Sequence, residues 1–317
     1  MIEVSGLSKY YGGRPAIHEV SFSVNEGEIV GLLGLNGAGK STILKILGCF
    51  LLPSKGQVQV AGHSVEENPD AIRQLLGYLP DVPPLYPEMT VQAYLEFVAQ
   101  LKNISRNDVP SHVDDAVMKT HLREVLDYRL GELSHGFQQR VGIAQAIVHR
   151  PKVLILDEPI NGLDPIQIVE MRDLIKSLRG DHTVILSSHI LSEITKTCDR
   201  ILIVDQGRMV AEGDESRLTN QASKSMRVIV QVSNPKQDLF AHLKAVSGVD
   251  HVEVTAGETG GMYAVVTSDD CRAAIAKVVI ELGCELIGLH KEESGLESIF
   301  LKMVGGGQAE SNRENLR

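Results

Sequence analysis

The sequence predicts an α/β fold built on a parallel sheet, followed by a smaller α+β domain. Short continuous apolar runs of strand length occur at 30–34, 153–157, 183–189 and 200–207, with helical stretches between them. Such runs are typical of parallel strands that are covered on both faces by helices. A glycine-rich turn follows the first run directly. The region 221–304 has the order strand, helix, strand, strand, helix, strand, which predicts a ferredoxin-like domain.

The composition describes a globular protein and disfavours some classes of partner. With 317 residues and 43% hydrophobic content, the chain can bury one large core and a second small one. A net charge of -10 argues against nucleic-acid binding, which needs a basic surface. The four cysteines are far apart and show no CxxC spacing, which indicates thiols in a reducing compartment. No signal peptide and no run of about 18 uncharged apolar residues is present, so other subunits would supply any membrane spans.

The remaining elements follow in chain order. Residues 1–30 alternate apolar and polar positions, which predicts short strands joined by a Gly-Gly turn. A helical pattern follows the glycine-rich turn in "KSTILKILGCF". Residues 75–150 are predicted to be mostly helical, with an interruption at the proline cluster of 80–87. The polar stretch 218–225 is predicted to be a linker, and this places the end of the first domain, 1–220.

The second domain is predicted from alternating short patterns. "RVIVQVS" and "CELIGLH" are predicted strands, and "DHVEVTAGETGGMYAVVTS" is a predicted hairpin. "LFAHLKAV" and "CRAAIAKVVIELG" carry apolar residues at helical spacing, and "LESIFLKMV" is a predicted last helix. The glycine-rich polar end, 305–317, is predicted to be a disordered tail.

The stretch "GLNGAGKST" (34–42) has the P-loop spacing G-x-x-x-x-G-K-[ST], and it lies between a predicted strand and a predicted helix. Its glycines allow a tight loop whose backbone N–H groups surround phosphates. Lys40 is predicted to neutralise the β- and γ-phosphates, and the Ser41 hydroxyl to bind Mg²⁺. The predicted ATP-binding residues of the loop are Gly34, Leu35, Asn36, Gly37, Ala38, Gly39, Lys40, Ser41 and Thr42.

Two later strands end in polar side chains that fit the same chemistry. Asp157 ends "VLILD" and is predicted to hold Mg²⁺ through water, while Glu158 polarises the attacking water. His189 ends "TVILSSH" and is predicted to bond the γ-phosphate and link it to Glu158. The alternatives are a solvated acidic pair and a structural histidine. Asp164, in "NGLDP", is expected to cap a turn or a helix.

These motifs resemble, in their order, those of the ABC-transporter ATPase family. The resemblance covers about residues 2–217 and includes "YYGG", "GLNGAGKST", "LSHGFQQR", "LILDEP", "GLD" and "SSH". It implies an ABC ATPase domain with a parallel-sheet core, an N-terminal antiparallel β subdomain and a helical subdomain at about 78–150. It also implies that Tyr11 stacks on adenine, although an aromatic residue in a strand can equally be part of the core.

"LSHGFQQR" resembles the family's signature, whose usual core is LSGGQ. The resemblance implies that Ser134 and Gly136 close on the ATP of an opposing subunit. His135 and Phe137 depart from the usual glycine and glutamine. A further departure is Asp81, which stands near the family's usual glutamine; it can still offer an oxygen to Mg²⁺, or it can be a simple turn residue.

The resemblance therefore implies a cytoplasmic ATPase subunit, peripheral on the inner face of a membrane, that powers an ABC-2-type export transporter. Its implied partners are transmembrane permease subunits and a second ATPase subunit, with a homodimer expected, and no nucleic acid. The implied cofactors are ATP and Mg²⁺. Two alternatives are a soluble ABC ATPase acting on ribosomes or DNA, and a regulatory module that binds ATP without hydrolysing it.

Overall fold

The structure, a computed structural model, describes residues 1–222, 226–236, 238–257 and 260–292. The chain divides between Asp214 and Glu215 into two compact units. The predicted last helix, "LESIFLKMV", and the predicted tail, 305–317, lie outside the described residues.

The first unit contains ten strands and seven α-helices within the fully described stretch 1–214. The strands are β1 (Ile2–Tyr11), β2 (Arg14–Val24), β3 (Ile29–Leu33), β4 (Lys55–Val60), β5 (His63–Ser64), β6 (Leu76–Leu79), β7 (Val153–Leu156), β8 (Thr183–Ser188), β9 (Arg200–Asp205) and β10 (Arg208–Gly213). The helices are α1 (Lys40–Leu47), α2 (Pro69–Leu75), α3 (Val91–Leu101), α4 (Val109–Thr120), α5 (His135–Ile147), α6 (Pro165–Ser177) and α7 (Leu191–Thr197).

The N-terminal strands form the predicted antiparallel subdomain, with strand order β2-β1-β4-β5. The tight connection between β1 and β2 is made by Gly12 and Gly13, whose φ angles are 54° and 86°. Residues other than glycine rarely adopt such φ angles, which explains why two glycines stand here. The expected Gly-Gly turn is therefore present.

The central sheet has the order β10-β9-β3-β8-β7-β6 among the described strands, and all of its strand pairs except β9–β10 are parallel. Its strand β3 lies beside β8, which lies beside β7. In register, Leu33 is opposite Ser188, and Leu156 is opposite Leu186. The residues that follow these three strands therefore emerge side by side at one edge, which is where parallel α/β sheets bind ligands.

The prediction that residues 75–150 are mostly helical missed one strand of this sheet. Leu76–Leu79 forms β6, which pairs in parallel with β7 at the edge of the sheet. This pairing joins residues that are more than 70 positions apart, so no local sequence pattern predicts it. The helices of the predicted helical subdomain, α3, α4 and α5, pack against one another.

The core of the first unit surrounds α1. Ile43, Leu44 and Leu47 of this helix are fully buried in one cluster with Val20 of the antiparallel sheet and Val30 of the parallel sheet. Burying each such side chain contributes about 1.5 to 3 kcal/mol relative to its exposure to water. This packing holds α1, and hence the glycine-rich turn before it, rigidly over the sheet.

The second unit begins with α8 (Glu215–Ala222), which overlaps the stretch 218–225 that was predicted to be a linker. The elements that follow are β11 (Met226–Val232), α9 (Leu239–Lys244), β12 (Val249–Gly257), β13 (Gly260–Thr267), α10 (Arg272–Glu281) and β14 (Leu286–Glu292).

These four strands form an antiparallel sheet of order β12-β13-β11-β14 over the described part of the chain. This order is the ferredoxin-like one that the sequence predicted. Val230 of β11, Leu243 of α9 and Ile275 of α10 are fully buried in the core of this unit.

Candidate functional site

A cavity of about 560 Å³ opens at the carboxyl edge of the central sheet. Three connections converge on it: the glycine-rich turn after β3, the acidic pair after β7 and His189 after β8. Among the described residues, its walls are formed by Ala16, Leu35, Asn36, Gly37, Gly39, Lys40, Ser41, Thr42, Asp81, Glu158, Asn161 and His189. Adjacent strands thus bring residues far apart in sequence into one site.

The glycines of the turn are required by close backbone contacts. A Cβ atom on Gly34 would lie 2.4 Å from the carbonyl oxygen of Val204. Gly39 has a φ of 108°, and a Cβ there would lie 2.5 Å from Ile17 and 2.9 Å from the carbonyl oxygen of Ala16. A side chain at either position would displace backbone. The loop therefore keeps a compact shape in front of the N-terminus of α1, which suits an anion.

Lys40 places its charge among acceptors inside the cavity. Its Nζ donates to the carbonyl oxygen of Gly34 at 2.7 Å and lies 3.3 Å from Glu158 Oε1. The two side chains are only 6% and 13% exposed. A charge-assisted contact in such a shielded place is stronger than one in water. Lys40 is thus a fixed cation beside a carboxylate, ready to pair with a phosphate oxygen.

Glu158 is held in a strained backbone conformation between two charged or polar partners. Its φ is 51°, which is uncommon for a residue with a side chain. Its backbone N–H donates to Ser187 Oγ at 2.9 Å, and its Oε2 lies 2.9 Å from His189 Nδ1. Together with the contact to Lys40, these three features place one carboxylate oxygen beside Lys40 and the other beside His189, an arrangement that suits a group that positions water.

Asp157 lies behind Glu158 and is 4% exposed. It accepts from Ser187 Oγ at 2.6 Å and from Ser41 Oγ at 3.3 Å. Asp81 adds another oxygen to the cavity wall. Oxygen donors suit Mg²⁺, which usually takes only one or two carboxylates and completes its shell with water and substrate phosphates. The oxygens of Ser41, Asp157 and Asp81 are therefore a donor set that fits a cation shared with phosphates.

The other predicted site residues lie outside the cavity wall. Tyr11 is 51% exposed, and Lys9 Nζ lies 5.6 Å from the centre of its ring. Gly34 and Ala38 belong to the loop itself. Ser134 and Gly136 stand at the start of α5, and neither lines the cavity of its own chain.

The start of α5 packs against the rest of the first unit. Ser134 caps the helix by accepting from the N–H of Phe137 at 3.5 Å. A Cβ on Gly136 would lie 2.7 Å from the Gln167 side chain of α6. His135 Nε2 lies 3.1 Å from the carbonyl oxygen of Asn161. Gly136 thus has a packing reason within its own chain, in addition to the approach of phosphate that the sequence indicated.

Sequence reasoning missed two residues of the cavity wall, Ala16 and Asn161. Asn161 stands in "NGLDP", three residues after Glu158, and this nearness to the acidic pair is the sequence signal for its place in the site. Asp164 itself caps α6 as expected, because its Oδ1 accepts from the N–H groups of Ile166 and Gln167 at 3.0 Å and 2.9 Å. Ala16 has no chemical signal, since its place beside Gly39 depends on the packing of β2.

Comparisons with known proteins agree with this geometry. A family model described as ABC transporter matches residues 17–161. The bacitracin transport ATP-binding protein of Bacillus licheniformis is 32% identical over 311 residues, which are 97% of this chain and 98% of the relative. The Nod factor export ATP-binding protein I of Rhizobium meliloti is 31% identical over 307 residues, or 96% of this chain and 88% of the relative.

Solved structures give the same result. An ATP-binding subunit of an ABC transporter is 30% identical with a TM-score of 0.64, covering 70% of this chain and 93% of that chain. A dimeric bacterial ABC transporter cassette is 26% identical with a TM-score of 0.62, covering 68% of this chain and 98% of that chain. The chain therefore belongs to the ABC transporter family, as one of its ATP-hydrolysing ATP-binding proteins.

Proposed function

We propose that this chain powers an export transporter, and that two copies share two ATP sites beneath a permease that supplies the membrane spans. The observation that carries this proposal is the convergence of Lys40, Glu158 and His189 in one cavity. Support for export comes from relatives of nearly equal length, which are named for bacitracin transport and Nod factor export. Such a partner would place the chain on the cytoplasmic face of the membrane.

The side chains divide the work of hydrolysis between them. The backbone of the glycine-rich turn and Lys40 bind the phosphates and neutralise their charge. Ser41 and Asp157, with Asp81 on the wall, would hold Mg²⁺, which supplies further neutralisation of phosphate charge. Glu158 accepts a hydrogen bond from the attacking water and withdraws its proton. His189 holds the second oxygen of that carboxylate and reaches toward the terminal phosphate.

Sharing of ATP between two copies follows from the place of Ser134 and Gly136. Both stand at the start of α5, where Ser134 is exposed and Gly136 is buried, and the N–H groups of a helix start favour an anion. Neither residue lines the cavity of the same chain. A second copy would bring this helix start against the phosphates bound at Lys40. A related cassette of known structure is dimeric, which supports this arrangement.

A second cavity offers a surface for the permease. It has a volume of about 520 Å³ and opens beside Phe50, which is 66% exposed. Among the described residues no helix is long and apolar enough to span a membrane. Exposed apolar patches mark interaction sites. The cavity would therefore take an apolar segment with an acidic side chain, because its wall carries Lys45, Arg73 and Lys102 among Leu76, Gly77, Tyr78, Pro80 and Pro84.

Mixing two inactive variants tests the shared site. The Lys40→Ala chain lacks the phosphate cation, and the Ser134→Arg chain blocks the helix start that would meet the opposing ATP. Each variant alone should hydrolyse ATP at a small fraction of the wild-type rate. Their mixture should recover activity, because each heterodimer has about one intact site. In that site, Lys40 of the Ser134→Arg chain meets Ser134 of the Lys40→Ala chain. Absence of recovery in a mixture whose heterodimers are verified would contradict sharing, and a fully active Lys40→Ala chain would contradict the site itself.

A further inference from the structure

The ring of His135 reaches from the first residue of α5 to the loop that follows Glu158. Its Nε2 lies 3.1 Å from the carbonyl oxygen of Asn161. The same nitrogen would lie 3.2 Å from a Cβ on Gly162, whose φ is 74°. A carbonyl oxygen only accepts, so His135 must carry its proton on Nε2 to make this hydrogen bond. The family's usual glycine at this position has no side chain that could make it.

The loop that His135 contacts is anchored to the chemistry at one end and to α6 at the other. The N–H of Asn161 donates to the carbonyl oxygen of Glu158 at 3.1 Å. Asp164 caps α6. Asn161 and Gly162 between these anchors are exposed, although Asn161 lines the cavity beside Glu158. The contact with His135 is therefore a third restraint, placed on the middle of the loop.

The position of His135 is itself well determined. Gly136, its neighbour, is buried against Gln167 of α6. One turn further along α5, Arg140 pairs with Glu170 of α6 and lies over the Phe137 ring. These contacts hold the two helix starts together, so the His135 ring extends from a fixed base.

We propose that His135 is a positioning residue, which acts through the Asn161 carbonyl to hold the loop beside Glu158 in its productive place. This inference rests on the proposed function in one respect. If Ser134 and Gly136 meet the ATP of a second copy, His135 connects the helix start at one site to the loop at the other. The hydrogen bond then also transmits closure between the two sites.

Three substitutions distinguish the effect of the hydrogen-bond donor from the effect of the volume of the His135 ring. His135→Leu keeps bulk and removes the donor, His135→Gly removes both, and His135→Gln keeps an N–H donor. A single neutral hydrogen bond corresponds to a change in kcat of about 2- to 12-fold. We expect the Leu and Gly variants to lose kcat within this range, while KM for ATP changes less than about twofold because Lys40 and its loop are untouched. The Gln variant should recover most of the rate.

Hydrogen exchange measured by mass spectrometry gives a readout apart from activity. Peptides covering 158–164 should exchange faster in His135→Leu and His135→Gly than in the wild type and in His135→Gln. The exposed histidine His251 of the second unit provides a control, because His251→Leu should change neither the exchange of this loop nor kcat. Equal kcat and equal exchange in all variants would overturn the proposal, as would a Gln variant no better than the Leu variant.

The dependence of the rate on ATP concentration distinguishes positioning of the loop within one chain from coupling between two sites. A lower Hill coefficient in His135→Leu than in the wild type is expected if the hydrogen bond links two shared sites. If the mixture of Lys40→Ala and Ser134→Arg chains fails to recover, sharing is wrong. The kcat and exchange comparisons still decide the positioning role in that case, because Asn161 lines the cavity of its own chain.

Discussion

Replacing Glu158 by glutamine is the sharpest test of the chemistry assigned to the cavity. The substitution keeps the size of the side chain and an oxygen that can accept a hydrogen bond from His189, but it removes the negative charge. In the native protein that charge lies 3.3 Å from Lys40 Nζ, and its second oxygen lies 2.9 Å from His189 Nδ1. The variant should therefore fold, bind ATP and fail mainly at the step that withdraws a proton from water.

The substitution should affect the rate of hydrolysis and the affinity for ATP in opposite directions and by different amounts. Loss of a positioned general base commonly lowers the rate by about 10² to 10⁴, which is ~3 to 5 kcal/mol of activation free energy. The attraction between Lys40 and Glu158 at 3.3 Å is ~5 kcal/mol at an effective dielectric constant of ~20, and desolvation offsets much of it. Because glutamine leaves Lys40 free to pair with phosphate, we expect ATP to bind at least as tightly to the variant.

Steady-state phosphate release measures the first effect, and light scattering measures ATP-dependent dimerisation alongside it. Under the proposed function, we expect slow but real hydrolysis by the wild type, stimulated by a permease. We also expect a persistent dimer in Glu158→Gln, since hydrolysis no longer opens it. Glu281→Gln, which removes a surface carboxylate paired with Lys277, is the matched control and should behave as the wild type. Hydrolysis by Glu158→Gln at the wild-type rate, or weaker binding of ATP to this variant than to the wild type, would refute the reasoning.

Two further predictions concern the backbone and the pH dependence of stability. Gly34→Ala should abolish ATP binding in a fluorescent-nucleotide titration, because its Cβ would lie 2.4 Å from the carbonyl oxygen of Val204; wild-type affinity would contradict the assigned role of this glycine. Burial lowers the pKa of His149 from 6.5 to about 4, with the nearby Lys102 charge adding to the effect. The unfolded chain therefore binds more protons between those pH values, and stability falls as the pH decreases through this range. The free energy of unfolding, from urea titrations at pH 7 and pH 5, should differ by about 2 kcal/mol less in His149→Gln than in the wild type. A difference in His149→Gln equal to that of the wild type would count against the shift.

Part of the site was predictable because its chemistry is local in sequence. The loop "GLNGAGKST" contains its glycines, its cation and its hydroxyls within nine consecutive residues, so its spacing alone predicts a phosphate-binding loop. The acidic pair and His189 were predictable for a related reason: each directly follows an apolar run, and the carboxyl ends of parallel strands share one edge. The same local periodicity predicted the four strands and the helices α9 and α10 of the second unit, whose sheet has the expected ferredoxin-like order.

Other features depend on which distant segments meet, and no local pattern contains that information. The strand Leu76–Leu79 exists because it pairs with β7, and α8 occupies part of a stretch whose polarity suggested a linker. The predicted adenine contact of Tyr11 remains a prediction, since the ring lies outside the cavity wall of the chain.

The sequence by itself determined the parts whose physics is short-range: the glycine-rich loop, the alternating strands and helices, and the charges at the strand ends. Tertiary structure alone decided how these parts meet. The order β3-β8-β7 brings Glu158 between Lys40 and His189, and the packing of α5 on α6 brings His135 to the carbonyl of Asn161. The reason is that strand order and helix packing are set by burial of apolar surface over the whole unit, which is non-directional and cannot be assigned to any short stretch of sequence.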